Sequence, residues 1–161
     1  MRVKKTQLAG FTLVEILIAI TIFFIGVVGI FSLLADSINT ASFSVDNFTA
    51  SQLAQEGMEI VRNIRDQNWL NLADYSSGLS TCQAGCEIDY NDIAFVAYQA
   101  SFLKIDINGF FNYQQGENSK FKRKIIITPQ TDFLNVKVEV FWGQNNLYKT
   151  QDNLYDWYNA G

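Results

Sequence analysis

The sequence predicts an α+β fold, with one long N-terminal helix packed on a four- to five-stranded antiparallel sheet. Three observations carry that prediction. From Phe11 to Leu34 the chain runs 24 residues with a single charge, Glu15. From 35 to 68, apolar residues recur at three- and four-residue steps. Beyond about residue 93, short runs alternate apolar and polar side chains between turn-forming pairs.

The apolar run comes first. A helix rising about 1.5 Å per residue spans roughly 36 Å over residues 11–34, enough to cross a hydrocarbon layer of about 30 Å. Residues 1–10 form a leader with Arg2, Lys4 and Lys5 and no acid. Basic residues stay on the cytoplasmic side, so the sequence predicts a single-pass segment in the cytoplasmic membrane with residues 35–161 exported. A cleavable secretory signal shares the basic start, but its apolar core is usually about 7–15 residues and ends at a small-x-small site, which is missing here. A plain uncleaved anchor explains length and flanks and leaves Glu15 without a reason. A carboxylate in a membrane helix costs about 2.5–3.5 kcal/mol near the bilayer centre, and less near an end, so it normally has a partner.

Gly10-Phe11-Thr12-Leu13-Val14-Glu15 resembles the processing site of type IV prepilins and of the pseudopilins of type II secretion systems. The resemblance covers about 25 residues, in which basic leader, glycine, phenylalanine, glutamate and apolar run follow in order. It implies a pilin-like fold and cleavage between Gly10 and Phe11 by a prepilin peptidase. It also implies N-methylation of the new Phe11 terminus, and it makes Glu15 the fifth mature residue. By the same resemblance the partners are other pilin or pseudopilin subunits, with Glu15 pairing a neighbour's terminal amine and setting the register between subunits. Major pilins commonly carry a proline within this helix; the only proline here is Pro129, which leans toward a minor pilin or pseudopilin.

Composition agrees with an exported domain. The 161 residues carry 12 Lys and Arg against 16 Asp and Glu, no histidine, and 14 % aromatic side chains. Three of those cations lie in the leader, so the remainder is more acidic still, which disfavours general nucleic-acid binding. Cys82 and Cys86 enclose Gln83-Ala84-Gly85. In an oxidising compartment the expected state is a small structural disulfide. A redox pair prefers two intervening residues, and no further Cys or His exists to complete a zinc site.

Residues 35–68 continue the helix. Ile38, Ala41, Val45 and Phe48, then Leu53, Gly57, Ile60, Val61 and Ile64, form one apolar stripe that requires a cover. Gly57 either permits close backbone approach or is merely tolerated. Glu59 with Arg62, and Arg62 with Asp66, have the spacing of surface ion pairs. Residues 70–92 read as a loop holding the cysteine pair; Asp89, Asn91 and Asp92 read as turn formers rather than calcium ligands.

The remaining residues, 93–161, supply the sheet. Asn108-Gly109 between Phe102–Ile107 and Phe110–Tyr113 predicts a hairpin with a two-residue turn. Gln114–Ser119 read as another turn. Phe121–Pro129, Leu134–Gly143 and Leu147–Trp157 read as strands, with Val136, Val138 and Val140 on one face. Lys120, Lys122 and Lys124 share a face while Phe121 and Arg123 point the other way. Lys120, Lys122, Arg123 and Lys124 are candidates for contact with DNA or another polyanion; the competing reading is a solvated edge strand whose lysines prevent sheet-to-sheet pairing.

No nucleophile–base set or glycine-rich phosphate loop is present, so the chain reads as a non-enzyme without cofactor or metal. The expected role is structural, in a type IV pilus or type II secretion filament, ending in an extracytoplasmic filament or at the cell surface. A tip adhesin, a DNA-binding minor pilin and an unprocessed signal-anchored ectodomain are the competing expectations.

Overall fold

The computed structural model describes residues 10 and 12–156. The leader cations Arg2, Lys4 and Lys5, and Phe11 at the expected cleavage point, lie outside the described residues, as does Trp157 at the expected end of the last strand. In chain order the elements are α1 (Leu13–Leu70), a 3-10 turn (Ser80–Cys82), β1 (Cys86–Glu87), β2 (Val96–Ala97), β3 (Lys104–Ile105), β4 (Phe111–Asn112), β5 (Glu117–Asn118), β6 (Phe121–Pro129), β7 (Phe133–Trp142) and β8 (Asn146–Tyr155). The chain divides into two compact units, 1–44 and 45–161.

In the first unit, α1 is the whole of the described structure, and its apolar side chains are exposed. Leu13, Ile22, Phe23, Ile25 and Phe31 each keep more than 60 % of their accessible surface. Over residues 13–34 the helix is apolar on every side but for Glu15, and exposed side chains of that kind match lipid or another helix, not water. Among the described residues this is the one helix long and apolar enough to cross a membrane, with a mean hydropathy of 2.8 over its most apolar window.

The second unit is a helix-on-sheet sandwich. Five strands pair antiparallel in the order β2-β1-β6-β7-β8, and β4-β3-β5 form a separate small sheet. Period-two alternation places Phe121, Ile125 and Ile127 of β6 and Leu134, Val136, Val138 and Val140 of β7 on the buried face. Against them α1 buries Ala50, Leu53, Ala54, Gly57, Met58 and Val61. Each large aliphatic side chain fully withdrawn from water contributes about 1.5–3 kcal/mol, so this interface is the main source of the unit's stability. Gly57 lies where α1 packs closely on the sheet. A β-carbon built there would lie 3.0 Å from Arg123 Cδ and 3.1 Å from Val138 Cγ1.

Several expectations are corrected. The stripe begins to be buried only at Ala50; Ile38, Val45 and Phe48 stay more than 60 % exposed. The supposed loop 70–92 contains β1, which sits inside the main sheet between β2 and β6. Two residues are too few to show a period, so only distant pairing reveals that strand. Gln114–Ser119 likewise holds β5, paired to β3.

The Asn108-Gly109 hairpin exists, with Ile105 opposite Phe111, but its loop has three residues. Asp106 N–H donates to the Phe110 carbonyl at 3.0 Å and Gly109 N–H to the Asp106 carbonyl at 3.1 Å. Gly109 alone takes positive φ, at 85°. Asp106 Oδ1 accepts the Asn108 and Phe110 N–H groups at 2.8 and 2.9 Å, which stabilises the wider turn over the two-residue form. Arg62 pairs with Glu59 as expected, but its other arm reaches Asp152 on β8 rather than Asp66; Asp66 is held by Arg65.

Candidate functional site

Glu15 stands in the first turn of α1, and its partner is local. Thr12 N–H and Thr12 Oγ1–H donate to Glu15 Oε2 at 2.9 and 3.0 Å, while Glu15 N–H donates to Thr12 Oγ1 at 3.2 Å. This reciprocal arrangement is a capping box, in which a Thr at the helix cap and a Glu three residues later satisfy each other's backbone donors. The carboxylate also lies at the positive end of the helix dipole. The Thr12-Leu13-Val14-Glu15 spacing carries that signal in the sequence, and reading Glu15 only as a lone membrane charge passes over it. Gly10 and Thr12 flank the expected cleavage point, and a β-carbon at Gly10 would meet open space.

The cysteines form a disulfide, Cys82–Cys86, with α-carbons 5.3 Å apart. Both are buried, at 0 % and 3 % exposure, Cys82 as the last residue of the 3-10 turn and Cys86 as the first of β1. The bond pins the irregular segment to the sheet, where Cys86 faces Ala97 and Ile125.

The basic cluster is dispersed by the fold. β6 is an interior strand, so the edge-strand reading of its lysines is overturned. Arg123, grouped with them as a polyanion contact, is fully buried. Its Nη1 donates to the Leu53 carbonyl of α1 at 3.0 Å and its Nη2 to the Ile88 carbonyl at 2.6 Å. Glu56 Oε1 lies 3.2 Å from Nη1 as an ion pair rather than an aligned hydrogen bond. On the other face, Lys122 Nζ sits 4.2 Å from the Phe102 ring centre and Lys124 Nζ 5.1 Å from that of Tyr98. Lys120 pairs with Asp46. Three of the four cations therefore already have an anion or a ring against them, and the fourth is core.

Asp89, Asn91 and Asp92 form a turn, as the sequence reading expects. Buried Asp89 accepts the Asn91 N–H at 2.9 Å and the Tyr113 N–H at 2.7 Å, and Asp92 accepts the Asp89 N–H at 2.9 Å. Among the described residues no cluster of three or more His, Cys, Asp or Glu side chains is arranged to hold a metal ion. Titrating groups are shifted by hydrogen bonding and by burial. The Arg62 hydrogen bond holds the Asp152 carboxyl below the usual range, and burial pushes the Tyr113 phenol up.

No family model matches the chain, and neither a curated protein nor a solved structure does.

Proposed function

We propose that the chain is a structural subunit, a minor pilin or pseudopilin, of a type IV pilus or type II secretion filament. In this reading a prepilin peptidase cuts between Gly10 and Phe11, and the subunit leaves the cytoplasmic membrane to pack its N-terminal helix among similar helices. One observation carries it. Residues 13–34 of α1 are apolar on every side and almost all exposed, and their only charge, Glu15, is fixed at the first turn, beside the expected cut. The exposed residues Ile38, Val45 and Phe48 extend that surface past the membrane segment, which favours helix–helix assembly over a bare anchor. Cohesion comes from helix packing, and Glu15 gives register by pairing with a neighbour's terminal amine.

The capping box supplies a clean test, because glutamine caps as glutamate does while removing the charge. If Glu15 acts through its charge, Glu15→Gln and Glu15→Ala both insert into the membrane and both enter filaments poorly. If it serves only as a cap, Glu15→Gln assembles normally, and the register role is lost. Mass spectrometry of the native N-terminus tests processing. Methylated Phe11 is expected; an intact leader in cells with active peptidase would leave an unprocessed signal-anchored ectodomain in its place.

A further inference from the structure

We infer that the polar depression beside the Tyr90–Phe110 ring pair is a binding site for neutral saccharides. The depression has a volume of about 480 Å3 and is lined by Tyr90, Asn91, Asp106, Asn112, Gln114 and Gln115. The two rings lie 5.9 Å apart at 51°, and both stay half exposed, at 50 % and 58 %.

The frame is rigid and its polar atoms fall into two groups. One group is used internally. Asn112, itself buried, accepts the Gln114 and Gln115 N–H groups at 2.9 and 2.7 Å. Asp106 Oδ1 holds the hairpin loop, Asp89 ties residue 91 to residue 113, and Gln114 Nε2 donates to Asp92 at 2.7 Å. These bonds fix both walls before any ligand arrives, which reduces the ordering cost of binding. The other group has no partner among the described residues. It comprises the Tyr90 hydroxyl, the side-chain amides of Asn91 and Gln115, and the second carboxylate oxygen of Asp106.

That second group defines the ligand. An amide offers donors and an acceptor side by side, a phenol offers one of each, and a carboxylate accepts. Their complement is a molecule with closely spaced groups that both donate and accept, together with an apolar C–H face to lie on an aromatic ring. A pyranose ring has both. The nearest cation, Lys104, is outside the lining and its Nζ donates to the Gln114 carbonyl at 3.3 Å, whereas the Asp106 carboxylate lines the depression, with Asp92 bonded to Gln114 beside it, and together they repel an anionic sugar. Neutral saccharides are therefore selected over sialylated or uronic ones.

The test uses the full chain in lipid nanodiscs, titrated with maltotriose, triacetylchitotriose and 3′-sialyllactose by saturation-transfer NMR. At least one neutral trisaccharide is expected to bind with Kd on the order of 1 mM. Tyr90→Ala and Gln115→Ala should each weaken it by about tenfold or more with the unfolding midpoint unchanged, and Tyr90→Phe should retain most of the affinity because the stacking face remains. Sialyllactose should bind more weakly than the neutral sugars. Absence of saturation transfer from both neutral sugars, binding indifferent to Tyr90→Ala and Gln115→Ala, or sialyllactose binding as well as the neutral sugars would overturn the assignment. No filament enters the measurement, so its outcome is independent of the assembly reading.

Discussion

Arg123 shows how one residue can be read correctly in direction and wrongly in purpose. Strand alternation in Lys120–Lys124 separates it from the lysines, yet composition alone groups all four as a basic patch. Its burial follows from Gly57. Without a side chain on α1 at that level, the Arg123 stem passes under the helix and its guanidinium reaches the Leu53 and Ile88 carbonyls beside Glu56. Removing Arg123 leaves two carbonyls without their donor and Glu56, whose side chain is 34 % exposed, without its cation, which costs about 1–3 kcal/mol. Arg123→Met should therefore lower the stability of the exported unit by about that amount, measured as a urea midpoint on the full chain in nanodiscs. Glu56→Met/Arg123→Met should recover a substantial part of the loss, since two apolar side chains replace both charges. A double variant no better than the single one would show that the carbonyl contacts, not the ion pair, are what Arg123 provides. Gly57→Leu is expected to cost about 1–3 kcal/mol by overpacking against Val138 and the Arg123 stem.

Elements were legible in the sequence in proportion to their length and period. α1 is foreseen to within two residues at each end because 58 residues without proline keep an apolar pattern. β6 to β8 are foreseen because nine or ten alternating residues repeat a period of two. β1 and β5 hold two residues each, and their pairing partners lie elsewhere in the chain, so no local pattern announces either strand. The Asn-Gly pair identifies its hairpin, while the loop length depends on Asp106, whose carboxylate caps the wider turn. Of the candidate site residues, the cysteine pair is read as the disulfide it forms. The local partner of Glu15 was legible too, in the Thr-x-x-Glu spacing. Within this short-element region the disulfide supplies what length does not. Closing a loop between residues 82 and 86 removes few unfolded conformations, about 2 kcal/mol by chain entropy. Cys82→Ala/Cys86→Ala should cost roughly that much and should speed hydrogen exchange at β1 and β2 while β6 and β7 stay protected. Uniform loss of protection across the sheet would mean that the bridge supports the whole fold rather than its weak corner.

At the scale of the molecule, lowered carboxylates and raised phenols bound the pH range of the exported unit from opposite sides. Asp152 is depressed because Arg62 donates to it, with Glu59 and Arg65 as the other charges nearby. Its folded form binds fewer protons than the unfolded chain just below pH 4, so its contribution is complete above about pH 4 and is lost as pH falls through the lower folded value. Asp74, depressed by the Ser76 hydroxyl and N–H, acts in the same direction. Tyr113 is raised, first by burial, so the folded state keeps a proton that the unfolded chain releases at about pH 10, and stability falls as pH rises beyond that point. The urea midpoint should therefore form a plateau through neutrality with a descending limb on each side. Asp152→Asn is expected to lower the plateau and flatten the acid limb without abolishing it, because Asp74 remains; Tyr113→Phe should flatten the alkaline limb without abolishing it, because Tyr75 and Tyr98 are raised by burial too, and should leave the acid limb unchanged. Acid and alkaline slopes unchanged in these two variants would place the controlling groups elsewhere, and the Arg62–Asp152 bridge between α1 and β8 would then be a surface contact without weight in the fold.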